Sequence, residues 1–142
     1  MHNNKTILLV EDDAVDAMTV RRAFKDLHIT NPLHHAENGE TALAWLQAPA
    51  TDPPCLILLD MNMPRMNGSE FLREIKADSF LRRIPVIVLT TSDEKRDRTD
   101  SFNLGVAGYM LKPVDYSQFI EVVRTIFLYW TMSKLAAPER PK

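Results

Sequence analysis

A single cysteine, Cys55, in 142 residues leaves no internal disulfide to build, so nothing in the chain points to an oxidising compartment. A dominant charge is missing too. The 17 Lys and Arg against 19 Asp and Glu give a formal net charge of -2, without the basic field that draws in nucleic acid. No apolar run approaches the length of a membrane span, and the opening MHNNK passes directly into ILLV without the apolar core of a signal peptide. Internal repeats and low-complexity tracts are also lacking. What remains is a single globular domain of the cytoplasm, with no nucleic-acid and no membrane partner expected. A composition 45% hydrophobic and 25% charged is ordinary for such a domain.

Five short apolar runs are present, at residues 7–10, 33–36, 55–59, 85–89 and 108–111, each followed by polar or helix-forming sequence. The first, third and fourth (ILLV, CLILL, PVIVL) are apolar at every position, as expected of central parallel strands covered on both faces. Between them, Ala17, Val20, Phe24 and Leu27 share a helical face, as do Leu43 and Leu46, and then Phe71, Leu72 and Ile75. Residues 91–104 open with Thr91, Ser92, Asp93 and Glu94, a capping-box pattern that makes Thr91 the expected N-cap, and stay polar until Phe102 and Leu104. That helix should bury only a narrow stripe. In the last helix Phe119, Val122, Val123, Ile126, Phe127 and Trp130 follow the i, i+3, i+4, i+7 rule. The domain is expected over residues 5–132, with a flexible tail at 133–142 that carries Pro138 and Pro141. The loop APATDPP at 48–54 is a stiff surface connection. Five β/α units joined by right-handed crossovers predict an α/β, doubly wound parallel sheet, whose working site lies at the C-terminal ends of the strands.

One of those ends poses a question. In ILLDMNMPRMNG, residues 57–68, a buried strand runs into an acid, Asp60. The other ends offer Glu11, Asp12 and Asp13, then Thr90, Thr91 and Ser92, then Lys112 and Pro113. If the first and third strands are neighbours, Glu11, Asp12 and Asp60 converge. At an effective dielectric near 20, two charges about 5 Å apart repel by roughly 3 kcal/mol, so three carboxylates need a counter-charge or a proton. Hard oxygen ligands with room for water suit Mg2+ (or Mn2+) better than Zn2+. Lys112 adds a fixed cation and Thr90 a hydrogen-bond donor. Together they describe a carboxylate nucleophile placed to accept a phosphoryl group.

Glu11 and Asp12, the DMNMPRMNG stretch at 60–68, Thr90, and Lys112 with Pro113, in this order, resemble the receiver domain of two-component response regulators over residues 5 to about 130. The resemblance implies a flavodoxin-like sheet in the order 2-1-3-4-5 with helices on both faces. Asp60 would be the phospho-acceptor, served by a histidine kinase. Asp12 and Asp60 would bind Mg2+ through carboxylates, Glu11 through a metal-bound water, and Asn62 through its backbone carbonyl. Thr90 and Tyr109 would be the switch pair, Lys112 would bridge to the phosphoryl oxygens, and the bond to Pro113 would be cis. Asn62 and Ser92 stand where receivers tune the lifetime of the phosphoryl group. The run GYMLKPVDY at 108–116, with Tyr129 and Trp130, resembles regulators paired with phytochrome-type kinases. Such regulators often dimerise through the fourth helix, fifth strand and fifth helix. Val114 and Asp115 depart from many receivers, which commonly carry phenylalanine and then a variable residue there. The answer to the strand-end question is that a rigid central strand holds a nucleophile well, while Pro64 and Gly68 shape the loop beyond it.

Several residues have plainer readings. Asp13 suits a helix N-terminal charge, Cys55 a small buried hydrophobe, and Met61, Met63 and Met66 gap-filling in a mobile loop. His34 and His35 lack a third metal ligand nearby. On the last helix Leu128 and Met132 project away from the core stripe, with Ile120 and Tyr129 on the shoulders, which suggests an interface. With the sequence ending soon after this helix, output is expected through protein contact, or by relay to a histidine phosphotransfer protein. A phosphatase of the haloacid dehalogenase kind would need an acid at position 62, where Asn62 stands and cannot protonate a leaving group. A constitutive interaction module would not need the full set of site residues.

Overall fold

β1 (Ile7–Val10), β3 (Leu56–Leu59) and β4 (Val86–Thr90) are buried at every position, because helices cover both faces of the sheet at its centre. The computed structural model describes residues 5–132, with side chains described through Trp130. β2 (Leu33–Ala36) and β5 (Gly108–Leu111) form the edges, and the order β2-β1-β3-β4-β5 is parallel throughout. This is the doubly wound sheet and strand order expected. The expected tail at 133–142 and the side chain of Met132 lie outside the described residues.

Alternation along the strands divides the core in two. Leu8, Val10, Ile57, Leu59, Val86 and Val88 face α2 (Gly39–Gln47) and α3 (Gly68–Ala77), meeting Leu46, Phe71, Leu72 and Ile75. Ile7, Leu9, Leu56, Leu58, Ile87 and Leu89 face α1 (Ala14–Asp26) and α5 (Tyr116–Met132), packing on Val20, Phe24, Phe119, Ile126 and Trp130. Cys55 joins this second core as a buried free thiol, and burial pushes it up to about 11. Asp13 caps α1, its carboxylate accepting from the amides of Val15 and Asp16 at 2.8 and 3.0 Å. Asn67 and Glu70 form a capping box that starts α3 where the loop after Asp60 ends. Gly68 is required there. A Cβ at this position would lie 2.7 Å from Met61 Cα and 2.8 Å from the Asp60 carbonyl oxygen.

α4 (Lys95–Asn103) departs from the sequence reading. Thr91 is not its N-cap and no side chain caps it; the helix starts after Glu94. The preceding loop is held in another way. The Ser92 amide donates to Thr90 Oγ1 at 3.2 Å, the Ser92 carbonyl accepts from Tyr109 Oη at 2.8 Å, and its hydroxyl donates to Asp97 at 2.6 Å. These bonds keep residues 91–94 out of the helix. Phe102, expected in the buried stripe, is 56% exposed, and the small Ser101 is the residue α4 buries, 3.7 Å from the Met61 sulfur. The bond between Lys112 and Pro113 is trans, as is every peptide bond among the described residues, so the expected cis bond is corrected. The tertiary amide before proline separates the isomers by only about 0.5–1 kcal/mol, so local context decides.

Candidate functional site

Register brings the strand ends level. Val10 pairs with Leu59, and the Asp60 amide donates to the Val10 carbonyl at 3.0 Å, so the residues after β1 and β3 stand side by side. Between β4 and β5 the Lys112 amide donates to the Thr90 carbonyl at 2.8 Å. One carboxylate oxygen each from Glu11, Asp12 and Asp60 lies within 4.8 Å of the others. Glu11 and Asp60 are buried and Asp12 is exposed, so the cluster has one open side.

Asp60 is served from both flanks. Thr90 Oγ1, fully buried, donates to Asp60 Oδ1 at 2.5 Å, and the Asn62 amide donates to the same oxygen at 3.3 Å. Lys112 Nζ stands 3.7 Å from Asp60 Oδ2, touches Glu11 Oε1, and donates to Asp16 Oδ2 at 3.1 Å. Burial pushes Glu11 up to about 8, against the pull of the Lys112 ammonium. For Lys112 burial alone would lower the pKa, but the charges of Asp60 and Glu11 outweigh it and hold the ammonium above its ordinary value. Tyr109 is raised by burial, with its hydroxyl on the Ser92 carbonyl.

The structure therefore gathers Glu11, Asp12, Asp60, Thr90 and Lys112 at one end of the sheet, with the exposed Asn62 beside them and Tyr109 one loop away. Pro113 lines a neighbouring cleft with Asp16, Thr91 and Val114. On α5, Leu128 and Tyr129 are exposed, whereas Ile120 packs against the second core. Two residues were missed from the sequence. Asp16 reaches Lys112 from the first turn of α1, a contact across 96 residues that no local pattern signals. His35 Nε2 lies 2.6 Å from the Glu11 carbonyl oxygen, and its signal was a place beside the end of β1 once β2 is set next to it.

An all-oxygen donor set with one exposed member fits a hard divalent cation that keeps water ligands, and not Zn2+. A buried carboxylate with a hydroxyl on one oxygen and an ammonium near the other is equipped to take up an electrophilic phosphoryl group, since both donors stabilise the charge that develops.

Comparison with known proteins agrees. Residues 7–124 match the response regulator receiver domain family. The response regulator Rcp1 of Synechocystis sp. is 38% identical over 130 residues, covering 89% of this chain and 88% of that protein. Its Mn2+-bound crystal structure superposes with a TM-score of 0.85, over 94% of this chain and 99% of the other. The crystal structure of the phosphorylated cyanobacterial phytochrome response regulator RcpA gives a TM-score of 0.87 at 34% identity, over 94% of this chain and 99% of the other. A probable methanogenesis regulatory protein, FilR2 of Methanothrix harundinacea, is 36% identical over 127 residues, 87% of this chain and 82% of that protein.

The chain belongs to the response regulator receiver family: it is a phospho-acceptor of two-component phosphorelay signalling that works through contact with other proteins. Within that family it is closely related to the phytochrome-associated response regulators. The chemistry it catalyses is its own phosphorylation and dephosphorylation.

Proposed function

We propose that Asp60 is the residue that accepts the phosphoryl group. The observation that carries this is the placement of Asp60 at the end of the buried β3, with Thr90 from β4 and Lys112 from beyond β5 addressing its two oxygens. In the transfer a carboxylate oxygen of Asp60 forms the new P–O bond while the P–N bond to a phosphohistidine breaks, and the histidine leaves with a proton. Lys112 and Thr90 neutralise and hydrogen-bond the phosphoryl oxygens. Asp12 and Asp60 through carboxylates, Glu11 through water and Asn62 through its carbonyl would hold Mg2+, or Mn2+. When bound, such a cation would offset negative charge on the incoming phosphoryl group.

The switch follows from one shared hydroxyl. Thr90 Oγ1 donates to Asp60 and also accepts from the Ser92 amide. A phosphoryl group on Asp60 draws Thr90 toward itself, the Ser92 amide loses its acceptor, and the loop holding the Tyr109 hydroxyl rearranges, turning the ring inward. Asn62 and Ser92, each two residues past acceptor and switch, set how long the phosphoryl group survives. The name of one relative supports a phytochrome-type histidine kinase as the donor. Exchange with a histidine phosphotransfer protein belongs to the same reading. Exposed Leu128 and Tyr129 support a homodimer through α4, β5 and α5. Cytoplasmic location belongs to the same reading, and no helix among the described residues is long and apolar enough to cross a membrane. The domain is assigned to residues 5–132.

Incubation with Mg2+ and acetyl phosphate, followed by intact mass, tests the reading. One phosphoryl increment that needs metal and vanishes in Asp60→Asn is expected. An increment that persists in Asp60→Asn would overturn it.

A further inference from the structure

Lys112 is surrounded by three carboxylates. Its ammonium touches Glu11 and donates to Asp16 at 3.1 Å, and it stands 3.7 Å from Asp60, beyond hydrogen-bond distance. The cation is thus shared between Asp60 and two other carboxylates. Asp16 itself is held in place. The Asp13 cap accepts from the Asp16 amide at 3.0 Å, which fixes the first turn of α1, and the side chain then reaches across to β5 instead of lying along its own helix. An acid in the first turn usually serves the helix dipole. Here it also forms a charge-assisted hydrogen bond to a lysine 96 residues away.

We propose that Asp16 is a positioning residue for Lys112, holding the ammonium beside Glu11 until the charge arriving at Asp60 draws it over. The inference rests on Asp60 being the acceptor. Phosphorylation takes the acceptor from one negative charge to roughly two, which strengthens the pull of Asp60, 3.7 Å away, on an ammonium that Asp16 holds at 3.1 Å. Asp16 therefore sets how readily the cation is delivered. The carboxylate sits on the solvent side of the pair, 39% exposed against 6% for the lysine side chain, so it can be changed without opening the core.

The test is the rate of phosphorylation by acetyl phosphate at saturating Mg2+, followed by intact mass. Asp16→Asn keeps the shape and an acceptor oxygen but removes the charge. The rate should rise about threefold to tenfold, as expected for weakening one charge-assisted hydrogen bond in the ground state. Asp16→Glu should return toward the parent rate. In a Lys112→Met background, followed over hours at high donor concentration, Asp16→Asn should change nothing. An unchanged or slower rate in Asp16→Asn with Lys112 present overturns the inference, and so does an equal change in both backgrounds. A parent protein that accepts no phosphoryl group overturns the functional reading and this inference together. A phosphorylated parent with an indifferent Asp16→Asn overturns the inference alone.

Discussion

Thr90→Val keeps β-branching and volume and removes one hydroxyl from the centre of the site. That hydroxyl is fully buried, donates to Asp60 Oδ1 at 2.5 Å, and accepts from the Ser92 amide at 3.2 Å. A hydrogen bond to a charged group contributes about 1.5–3 kcal/mol, and an amide left without its acceptor costs about 1–3 kcal/mol more. Burying the added methyl returns about 0.8 kcal/mol. The metal-free protein should therefore lose roughly 3 kcal/mol. Urea unfolding at pH 7 in chelator measures this as a lower midpoint with an unchanged slope. Pairing the substitution with Asp60→Ala, which leaves no acceptor, in a double-mutant cycle isolates the Thr90–Asp60 contact, with a coupling of about 1.5–3 kcal/mol expected. A total loss below about 1 kcal/mol, or a coupling near zero, would refute the claim that this hydroxyl is bound to the acceptor in the resting state. The switch would then need another origin.

Gly68→Ala should destabilise by about 1–3 kcal/mol and slow phosphorylation, because its Cβ would strike backbone atoms of Met61 and Asp60; unfolding and acetyl phosphate kinetics measure the two effects. Burial holds Glu11 up to about 8, so Mg2+ binding, which favours its charged form, should release protons near neutral pH. Calorimetry in buffers of different ionisation enthalpy should find more protons released per ion at pH 7 than at pH 9. Because the folded value lies above the unfolded 4.5, the metal-free protein should lose stability as pH rises from 4.5 through 8, and pH-dependent urea unfolding checks that sign. Cys55, raised from 9.0 to about 11, should be alkylated at pH 8 about a hundredfold more slowly in the folded protein than in urea, as timed by mass increments.

The sequence made the sheet legible because ILLV, CLILL and PVIVL carry no polar residue, a pattern that only strands covered on both faces tolerate. Glu11, Asp12, Asp60, Thr90 and Lys112 were legible for a related reason: polar residues directly after such runs must gather at one end of the sheet. The start of α4 was not. Thr91 to Glu94 satisfies the local rule for a helix start, but Ser92 is tied to Thr90, Asp97 and Tyr109, and tertiary bonds to β4 and β5 overrode the local signal. Phe102 shows the same limit, since a polar helix gives no periodicity from which to tell its buried side. Asp16 was hidden because its role depends on a lysine 96 residues away, and the isomer at Pro113 because the alternatives differ by so little energy.

The central claim is that the phosphoryl group sits on Asp60. Treating the phosphorylated protein with borohydride reduces an aspartyl phosphate to homoserine, which peptide sequencing by mass spectrometry then locates. The account predicts homoserine at position 60 and nowhere else. Homoserine at another acidic position, with Asp60 intact in a folded and phosphorylated protein, would contradict it.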